Sequence, residues 1–498
     1  MLQLIENAYS HTSRVAIKID GHSYTYANLL EASYQTAAWL LEHQTDLREK
    51  PVAFMVDPGF DYVTTQWGIW RAGGIAVPLC ITHPLPSLIY VLEDTGATIL
   101  IVSPEYESLL GDYANARGIR LLVLGVNQFT QKVQLPSISA ERRALILYTS
   151  GTTSLPKGVV TTHLNLEAQI TTLINAWGWT SSDHILCVLP LHHVHGVVNV
   201  VCCSLWAGAT CTFMPSFDVQ AVFSFFMKKT LTVFMAVPTI YYKLISAWET
   251  ADSSQQAAIK ESMMQFRLMV CGSAALPVSV MEKWEQISGH RLLERYGMTE
   301  IGMAISNPYE GERRAGYIGM PLSGVEVMLA DDNYLPAPPE SPGQILIRGK
   351  NVFKEYWNRP EETFNSFTAE GWFKTGDVAV VEKGYYRIMG RQSVDIIKSG
   401  GYKISALEIE EELRKHTAIA DVAVVGIPDD EWGERVVAAI VLVEKSINPI
   451  AELTSWLRDR IPGYRVPRVY KAIDALPRNA MGKVVKSDVK KLFNNESV

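Results

Sequence analysis

A chain of 498 residues with 48% hydrophobic and 19% charged residues is too long for one hydrophobic core and too apolar for a disordered or fibrous protein. Its net charge of -7 offers no basic surface to a nucleic acid, and the sequence has no Lys/Arg cluster with interleaved aromatic residues. The composition therefore predicts a multi-domain globular protein without a nucleic-acid partner.

The first residues and the most apolar stretch bear on location. The start, MLQLIENAYSHTSR, lacks a basic stretch followed by an apolar run, so we expect no secretory signal and a cytoplasmic location. The most apolar stretch begins at Val197 and is interrupted by Asn199 and Ser204, which favours a buried helix followed by a strand over a membrane span. The six Cys have no CxxC spacing, and we expect reduced thiols that pack as small hydrophobic side chains.

Helix-like and strand-like stretches alternate through the first part of the chain. From Ser23 to about Thr130, the helix-like YANLLEASYQTAAWLLEH precedes the apolar runs PVAFMV, GGIAVPL and ATILIV. The pattern resumes after Arg143 with LILYTS, HILCVLP, VFMAVP and FRLMVCG. This alternation predicts the α/β class, with mostly parallel sheets that helices cover and ligands at the carboxyl ends of the strands.

The predicted pattern of secondary structure changes twice in the last third of the chain. Between about 319 and 390, short strands and Gly/Pro turns predict a β-rich, β-barrel-like subdomain. Beyond it, SALEIEEELRKH reads as a helix capped by Ser405, followed by the strand-like VAVVGI and VVAAIVLV. We therefore predict a large N-terminal domain, 1–390, and a small α+β C-terminal domain, 391–498.

A loop rich in Thr, Ser and Gly follows the strand-like run LILYTS and ends at Lys157. Glycine lets backbone N–H groups approach a phosphate closely, and the hydroxyls and Lys157 add donors. The loop is not a Walker A motif, because the GxxxxGK[ST] spacing is absent. We interpret it as a phosphate-binding loop and not as an exposed surface turn. Its candidate ligands are Thr149, Ser150, Gly151, Thr152, Thr153 and Lys157.

The motif YTSGTTSLPKG resembles the signature loop of the superfamily of acyl-CoA synthetases, peptide-synthetase adenylation domains and beetle luciferases. Further matching motifs, ERYGMTE, KTGDVAVV, IMGRQSVDIIKSGGYKI and PRNAMGKVVK, follow in the superfamily's order, and the resemblance spans roughly Ser23 to Lys486. It implies that a carboxylic acid reacts with ATP to an acyl-adenylate, that Mg²⁺ is the cofactor and that coenzyme A accepts the acyl group. Ser154 stands where the superfamily usually has Gly.

The same resemblance implies roles for residues at the nucleotide. Glu300 would bind Mg²⁺, Thr299 would contact phosphate, and Tyr296 would lie against adenine. Asp377 and Arg391 would bind the ribose. Without the resemblance, two simpler interpretations remain open. Glu300 could be a solvated carboxylate in a core loop, and Asp377 could be a residue that only forms a turn. The other residues that the resemblance places at the nucleotide are Gly272, Ser273, Ala274, Glu294, Gly297 and Met298.

The C-terminal motifs imply a moving domain. Lys483 matches the superfamily's PxxxxGK element and would stabilise the negative charge that develops during adenylation. The C-terminal domain would then rotate near Ser393, where members commonly have Asp or Lys, and present a second face to coenzyme A. The alternative for Lys483 is a solvated surface charge, and the alternative for the glycine motif at 400–401 is a simple turn. The residues of the second face are Gly400, Gly401, Tyr402 and Lys403.

Two residues bear on the choice of acid, Arg295 in ERYGMTE and His193 in PLHHVHG. A guanidinium suits a second carboxylate through a bidentate pair. The stretches LPLHHVHG, VFMAVPTIYYKL and ERYGMTEIGMA resemble malonyl-CoA synthetases, in which the matching Arg, helped by the His, binds the distal carboxylate. A rim ion pair of Arg295 with Glu294 or another acid is the alternative. The trio of His192, His193 and His195 does not favour a metal site, because adjacent and alternate His side chains do not easily converge on one ion. We expect a gating or polar role for His193.

Three other functions remain open at this stage. The protein could be a different acyl-CoA ligase, acting on short-chain, medium-chain or aryl acids, or an adenylation enzyme that loads a separate carrier protein. It could also be a nucleotide-binding regulator. The presence of all five charged motif residues argues against this, namely Lys157, Glu300, Asp377, Arg391 and Lys483. The expected partners are therefore a small carboxylic acid, ATP and coenzyme A, with a carrier protein as a possible acyl acceptor.

Overall fold

The structure is a computed structural model that describes residues 2–125, 133–149, 155–400, 402–443, 450–478 and 484–493. The chain forms two compact units. The first contains residues 1–326 and 347–373, and the second contains 327–346 and 374–498. The sequence instead predicts a boundary at 390/391, on the basis of a hinge, and that boundary stays a prediction.

The described helices and strands are numbered in chain order. The α-helices α1 to α15 are Gln3–Tyr9, Tyr26–Leu41, Phe60–Arg71, Leu85–Thr95, Glu107–Arg117, His163–Trp177, Cys203–Trp206, Val219–Met227, Pro238–Thr250, Ser253–Met263, Val278–Ser288, Pro360–Asn365, Ala406–Arg414, Ile450–Arg458 and Lys486–Lys491. The strands β1 to β25 are Val15–Ile19, His22–Thr25, Pro51–Met55, Ile75–Pro78, Ile99–Val102, Arg120–Val123, Arg143–Thr149, Lys157–Thr162, His184–Cys187, Thr210–Phe213, Val233–Ala236, Leu268–Cys271, Leu293–Met298, Gly302–Ser306, Met320–Pro321, Val325–Ala330, Gly343–Gly349, Glu355–Tyr356, Phe373–Glu382, Tyr385–Arg391, Ile396–Ser399, Tyr402–Ser405, Ile419–Asp429, Gly433–Leu442 and Val469–Ala472. Short 3₁₀-helices cover Pro104–Tyr106 and Gly463–Arg465, and a π-helix covers His195–Cys202.

The first unit is built on two mixed sheets. Among the described strands, one sheet has the order β15-β14-β13-β12-β11-β9-β10-β1-β2, and the other has the order β18-β8-β7-β4-β3-β5-β6. The central pairs β10–β9, β11–β12, β3–β4 and β3–β5 are parallel. Strands β4, β5, β11 and β12 are buried along their whole length, which explains their continuous hydrophobic sequences. The predicted α/β class with mostly parallel sheets is confirmed.

Several helices begin at a residue whose side chain caps the helix. Thr25 and Thr162 each precede a helix, and their side chains accept hydrogen bonds from the backbone N–H groups of Asn28 and Asn165. In the second unit, the predicted cap Ser405 accepts one from Glu408 in the same way. Each cap satisfies a backbone donor that the helix itself cannot pair.

The second unit contains two more sheets in the described ranges. One has the order β16-β17-β19-β20 and consists mainly of residues of the second unit, and the β-rich subdomain predicted at about 319–390 stays a prediction. The other has the order β22-β21-β24-β23, and β25 pairs with β24. Helix α13 packs on this second sheet over a core that includes Ile409, Leu413, Val424 and Ala438.

The apolar stretch from Val197 lies in the π-helix and continues through α7 into β10, as a helix followed by a strand. No helix among the described residues is long and apolar enough to cross a membrane. The six Cys are buried free thiols. In the motif ERYGMTE, residues 294–298 lie in β13, with which β12 and β14 both pair, and Glu300 lies in the turn that follows.

Candidate active site

The stem of the predicted phosphate loop is an antiparallel hairpin. Strand β7 ends at Thr149 and strand β8 begins at Lys157, and these two residues face each other across the hairpin. Ser150, Gly151, Thr152 and Thr153 lie outside the described residues, so their role stays a prediction. The hairpin brings the two ends of the loop together.

Lys157 has close partners in a segment about 200 residues later in the chain. Its ammonium group forms an ion pair with Glu362 and lies 5.3 Å from the ring centroid of Tyr356. The Tyr356 hydroxyl in turn donates a hydrogen bond to Oε1 of Glu300 at 2.9 Å. We call Lys157, Glu300, Tyr356 and Glu362 the lysine cluster. Sequence reasoning found the first and second of these residues and missed the other two.

Glu300 lies in the turn between β13 and β14 and is 7% exposed. Its backbone carbonyl accepts a hydrogen bond from the N–H of Phe353 at 2.7 Å, which fixes the turn against the segment that carries Tyr356. Burial and the neighbouring carboxylate raise the pKa of the Tyr356 hydroxyl, so it remains a donor to Glu300. Thr299 precedes Glu300 in the same turn and is half-buried.

A second group of polar residues lies at the carboxyl ends of β12 and the start of β13. The Arg295 guanidinium is 3% exposed, and its Nη2 lies 3.4 Å from the Oγ of Ser273. A Cβ atom at Gly272 would lie 2.6 Å from the Arg295 Cζ, so only glycine leaves room for the guanidinium there. Nδ1 of His195 lies 3.1 Å from the same Ser273 Oγ. We call Arg295, Ser273 and His195 the arginine cluster.

The arginine cluster contains a buried charge without a counter-ion at close range. Within the described part of the chain, no carboxylate lies within ion-pair distance of Arg295, and its Nε has no hydrogen-bond partner. Burial lowers the pKa of Arg295 to about 10, although Cys271 and Glu294 counteract the shift. The guanidinium therefore remains charged at neutral pH. The predicted alternative, a direct ion pair with Glu294, is not present.

His195 is held neutral beside this charge. Burial lowers its pKa well below the usual value, and Arg295 and His193 lower it further. A neutral ring that accepts the Ser273 hydroxyl at Nδ1 carries its proton on Nε2. Nε2 is buried without a partner among the described residues, so this assignment leaves a free donor.

The structure places His195 in the arginine cluster, a residue for which the sequence predicted no role, and the predicted role of His193 stays a prediction. The ring of His193 lies 4.1 Å from that of His192. Burial lowers the pKa of His192 to about 3. His195, the first residue of the π-helix, is 3% exposed, whereas His193 is half-buried.

Glu294 positions the loop after β12. Its Oε1 accepts a hydrogen bond from the Leu276 N–H at 3.1 Å, and its backbone carbonyl accepts one from Asn307. The loop itself includes Ser273 at φ 70°, a left-handed conformation that costs energy for a residue with a Cβ. Ala274 follows on the exposed side. In β13, Tyr296, Gly297 and Met298 are half-buried.

The candidate residues of the second unit are described separately. Nε of Arg391 forms an ion pair with Oδ1 of Asp377 at 3.0 Å, across the antiparallel pair β19–β20. Ser393 is exposed in the turn after β20. Gly400, at φ 56°, lies at the end of β21, and Tyr402 and Lys403 begin β22.

An exposed aromatic pair lies at the start of β22. The ring of Tyr402 stacks on that of Tyr464, with centroids 4.3 Å apart. Two candidates, Gly401 and Lys483, lie outside the described residues, and their roles stay predictions.

The chain belongs to the family of AMP-binding enzymes: residues 4–357 match the AMP-binding enzyme family and residues 408–483 match the AMP-binding enzyme C-terminal domain. It is 44% identical to the mitochondrial malonate–CoA ligase ACSF3 of Bos taurus over 96% of this chain and 88% of that protein. It is 38% identical to the malonate–CoA ligase of Arabidopsis thaliana over 100% of this chain and 90% of that protein.

Among solved structures, ATP-bound MatB from Rhodopseudomonas palustris has a TM-score of 0.89 and 30% identity over 99% of both chains. The predicted resemblance to the acyl-CoA synthetase superfamily is confirmed, and so is the prediction of an AMP-forming acid–thiol ligase. The expected cytoplasmic location stays a prediction, since the bovine relative is named as mitochondrial.

Proposed function

We propose that this protein is a malonate–CoA ligase, which converts malonate, ATP and coenzyme A to malonyl-CoA, AMP and pyrophosphate through a malonyl-adenylate. The names of the bovine and Arabidopsis relatives support malonate as the acid. The ATP-bound state of the MatB structure supports ATP as the nucleotide.

The single observation that carries the choice of acid is the arginine cluster. Among the described residues, a buried guanidinium whose Nε has no partner, and a buried His195 Nε2 that is a donor when Nδ1 accepts from Ser273, are costly unless an anion binds them. A fatty-acyl chain would leave both donors unpaired. The second carboxylate of malonate would accept hydrogen bonds from Arg295 and His195 and supply the missing negative charge.

The chemistry proceeds by two displacements. One carboxylate of malonate attacks the α-phosphorus of ATP, and pyrophosphate leaves with the electrons of the broken P–O bond. The thiol sulfur of coenzyme A then attacks the carbonyl carbon, loses its proton, and expels AMP. Because the mixed anhydride already has a good leaving group, the second step needs no covalent enzyme nucleophile.

The lysine cluster supplies groups for the polyphosphate. Lys157 would exchange its ion pair with Glu362 for contacts with phosphate oxygens. Glu300 offers a buried hard carboxylate oxygen, and the described residues contain no group of three or more His, Cys, Asp or Glu that could enclose a metal. This donor set fits Mg²⁺, which takes most of its ligands from water and phosphate. When bound, Mg²⁺ would neutralise phosphate charge.

The second unit would contribute the remaining contacts. Asp377 and Arg391 would bind the ribose hydroxyls, Lys483 would stabilise the developing charge during adenylation, and a later rotation near Ser393 would bring Gly400 and Tyr402 to the pantetheine. These roles rest on the superfamily motifs. A carrier protein remains an alternative acyl acceptor.

The direct test is a competition assay. Purified protein receives ATP, Mg²⁺ and coenzyme A with equal concentrations of malonate, methylmalonate, succinate, acetate, hexanoate and coumarate. Thioesters are identified by mass, and AMP and pyrophosphate are quantified. We expect malonyl-CoA or methylmalonyl-CoA to dominate, with stoichiometric AMP. Dominant acetyl-, hexanoyl- or coumaroyl-CoA would contradict the malonate assignment, and the absence of pyrophosphate with every acid would indicate a nucleotide-binding regulator.

A further inference from the structure

The last turn of α4 contains a nearly buried carboxylate, Asp94, whose side chain is 10% exposed. Its Oδ2 accepts a hydrogen bond from the Tyr148 hydroxyl at 2.7 Å, and its Oδ1 accepts one from Nη2 of Arg359 at 2.8 Å. Its backbone carbonyl accepts two more, from the Trp357 indole at 3.1 Å and the Asn358 amide at 3.0 Å. Asp94 therefore joins parts of the chain that are distant in sequence.

Both parts lead to the lysine cluster. Tyr148 precedes Thr149 at the end of β7, where the phosphate loop begins. Arg359 lies three residues after Tyr356 and three residues before Glu362. The two contacts of Asp94 thus fix the start of the loop and the segment that contacts Lys157 and Glu300.

A neighbouring residue on the same face of α4 binds the other end of the loop. Tyr90 lies one turn before Asp94, and its hydroxyl donates a hydrogen bond to the carbonyl of Pro156 at 2.7 Å. Pro156 immediately precedes Lys157. The rings of Tyr90 and Tyr148 also meet edge to face, with centroids 6.1 Å apart. One helix face therefore contacts the chain on both sides of the loop.

The segment that carries Tyr356 and Glu362 has little packing of its own. Strand β18 has 2 residues, and helix α12 has 6 residues, none of them buried. Phe364 on this helix is 81% exposed. Phe353 and Trp357 pack on buried residues at the start of the segment, but no residue of α12, which carries Glu362, is buried, so the position of this helix depends on polar anchors. A charge-assisted hydrogen bond to a nearly buried carboxylate is the strongest kind available.

We propose that Asp94 is a positioning residue: through Arg359 and Tyr148, it holds the lysine cluster in the arrangement that receives the phosphates of ATP. This inference rests on the proposed function, because it assumes that ATP binds at the lysine cluster. Asp94 itself contacts no reacting atom.

The test is the substitution Asp94→Asn, which preserves shape and removes the charge that binds Arg359. We expect the KM for ATP to rise about tenfold, because Lys157 and Glu300 are no longer held for phosphate, which corresponds to about 1.4 kcal/mol. The KM for malonate at saturating ATP should change less than twofold. A variant that only folds less well would lose kcat while both KM values stay unchanged, and that result would overturn the positioning role.

The chain offers a matched control one residue earlier. Glu93 on the same helix also accepts hydrogen bonds from an arginine and a tyrosine, Arg117 at 2.7 Å and Tyr113 at 3.2 Å. Glu93→Gln removes a more exposed ion pair on a different face, so both KM values should stay within twofold of the unmodified protein. If Glu93→Gln raised the KM for ATP as much as Asp94→Asn does, that result would contradict a specific role for Asp94.

A second variant covers the case in which Asp94→Asn fails to fold. Arg359→Gln removes the same ion pair from its more exposed side and should also raise the KM for ATP about tenfold. If both single variants fold, the double variant should be no more than about twofold worse than the more affected single variant. If the rise in the KM for ATP in the double variant equalled the product of the two single rises, Asp94 would not act through Arg359. Absence of ATP-dependent turnover in the unmodified protein would contradict the proposed function, whereas normal turnover with an unchanged KM for ATP in both variants would overturn only the positioning role.

Discussion

The arginine cluster and the lysine cluster both present a cation to an anionic substrate, but they hold it differently. Arg295 is 3% exposed and has only a weak contact with a serine hydroxyl, whereas the Lys157 side chain is 29% exposed and already paired with Glu362. A buried charge without a counter-ion is costly in the empty protein, and an exposed ion pair is worth little. The first arrangement discriminates between acids, and the second allows one anion to replace another.

The largest effect should come from removing the buried charge. Arg295→Met preserves much of the side-chain volume and deletes the donors to the second carboxylate, so we expect kcat/KM for malonate to fall at least about a hundredfold. Activity with acetate should change less than about fivefold, because acetate has no second carboxylate. Steady-state kinetics with both acids measure the difference.

The matched control for this prediction is Arg313→Met. Arg313 is also largely buried, but its guanidinium donates to the backbone carbonyls of Pro308, Tyr309 and Arg291. Its loss should lower the activity with malonate and acetate by the same factor. If Arg295→Met also affects both acids equally, the discriminating role of the arginine cluster is wrong.

At the lysine cluster, Glu300→Gln should lower kcat/KM for ATP about thirtyfold, because an amide is a poorer ligand for a hard cation. The Mg²⁺ concentration that gives half-maximal activity should rise in the same variant, which a magnesium titration at fixed ATP measures. Tyr356→Phe, which removes only the hydrogen bond to Glu300, should have a smaller effect in the same direction. An unchanged magnesium titration in Glu300→Gln would argue against Glu300 as the metal residue.

The arginine cluster should also make the stability of the protein depend on pH. The pKa of His195 is well below its unfolded value of about 6.5, so the unfolded chain binds more protons as the pH falls below that value. The free energy of unfolding should therefore decrease below about pH 6.5, by up to about 1.4 kcal/mol per pH unit for this residue. Urea unfolding at pH 7.5, 6.5 and 5.5 should show a shallower decrease in His195→Asn than in the unmodified protein. Identical slopes in the His195 variant would mean that this histidine is already charged in the folded protein.

The smallest effect concerns the resident counter-ion of Lys157. Glu362→Gln removes a carboxylate that competes with phosphate, so we expect the KM for ATP to fall about two- to fivefold, in line with the small energy of an exposed ion pair. The KM for malonate should stay the same. An increase in the KM for ATP would show instead that Glu362 positions Lys157 for phosphate.

The sequence predicts features that depend on local pattern. The alternation of helices and strands, the Ser405 cap and the ordered motifs that contain Lys157 and Glu300 are all readable from neighbouring residues. Tyr356 and Glu362 were not predicted, because their contact with Lys157 depends on the pairing of β18 with β8, which leaves no local signal.

Two other differences have similar causes. The position of His195 beside Ser273 was not predicted, because a run of neighbouring histidines does not reveal which of them is buried. Residues 294–298 form a strand only because two neighbouring strands pair with them. Long-range pairing and the orientation of a helix face are therefore what the sequence leaves undetermined here.

The most direct test of the division between the two clusters is a crystal structure with a non-hydrolysable malonyl-adenylate analogue. We predict that the distal carboxylate accepts hydrogen bonds from Arg295 at about 2.7–2.9 Å and from Nε2 of His195. A distal carboxylate directed into solvent, with Arg295 still bound only to Ser273, would contradict the account.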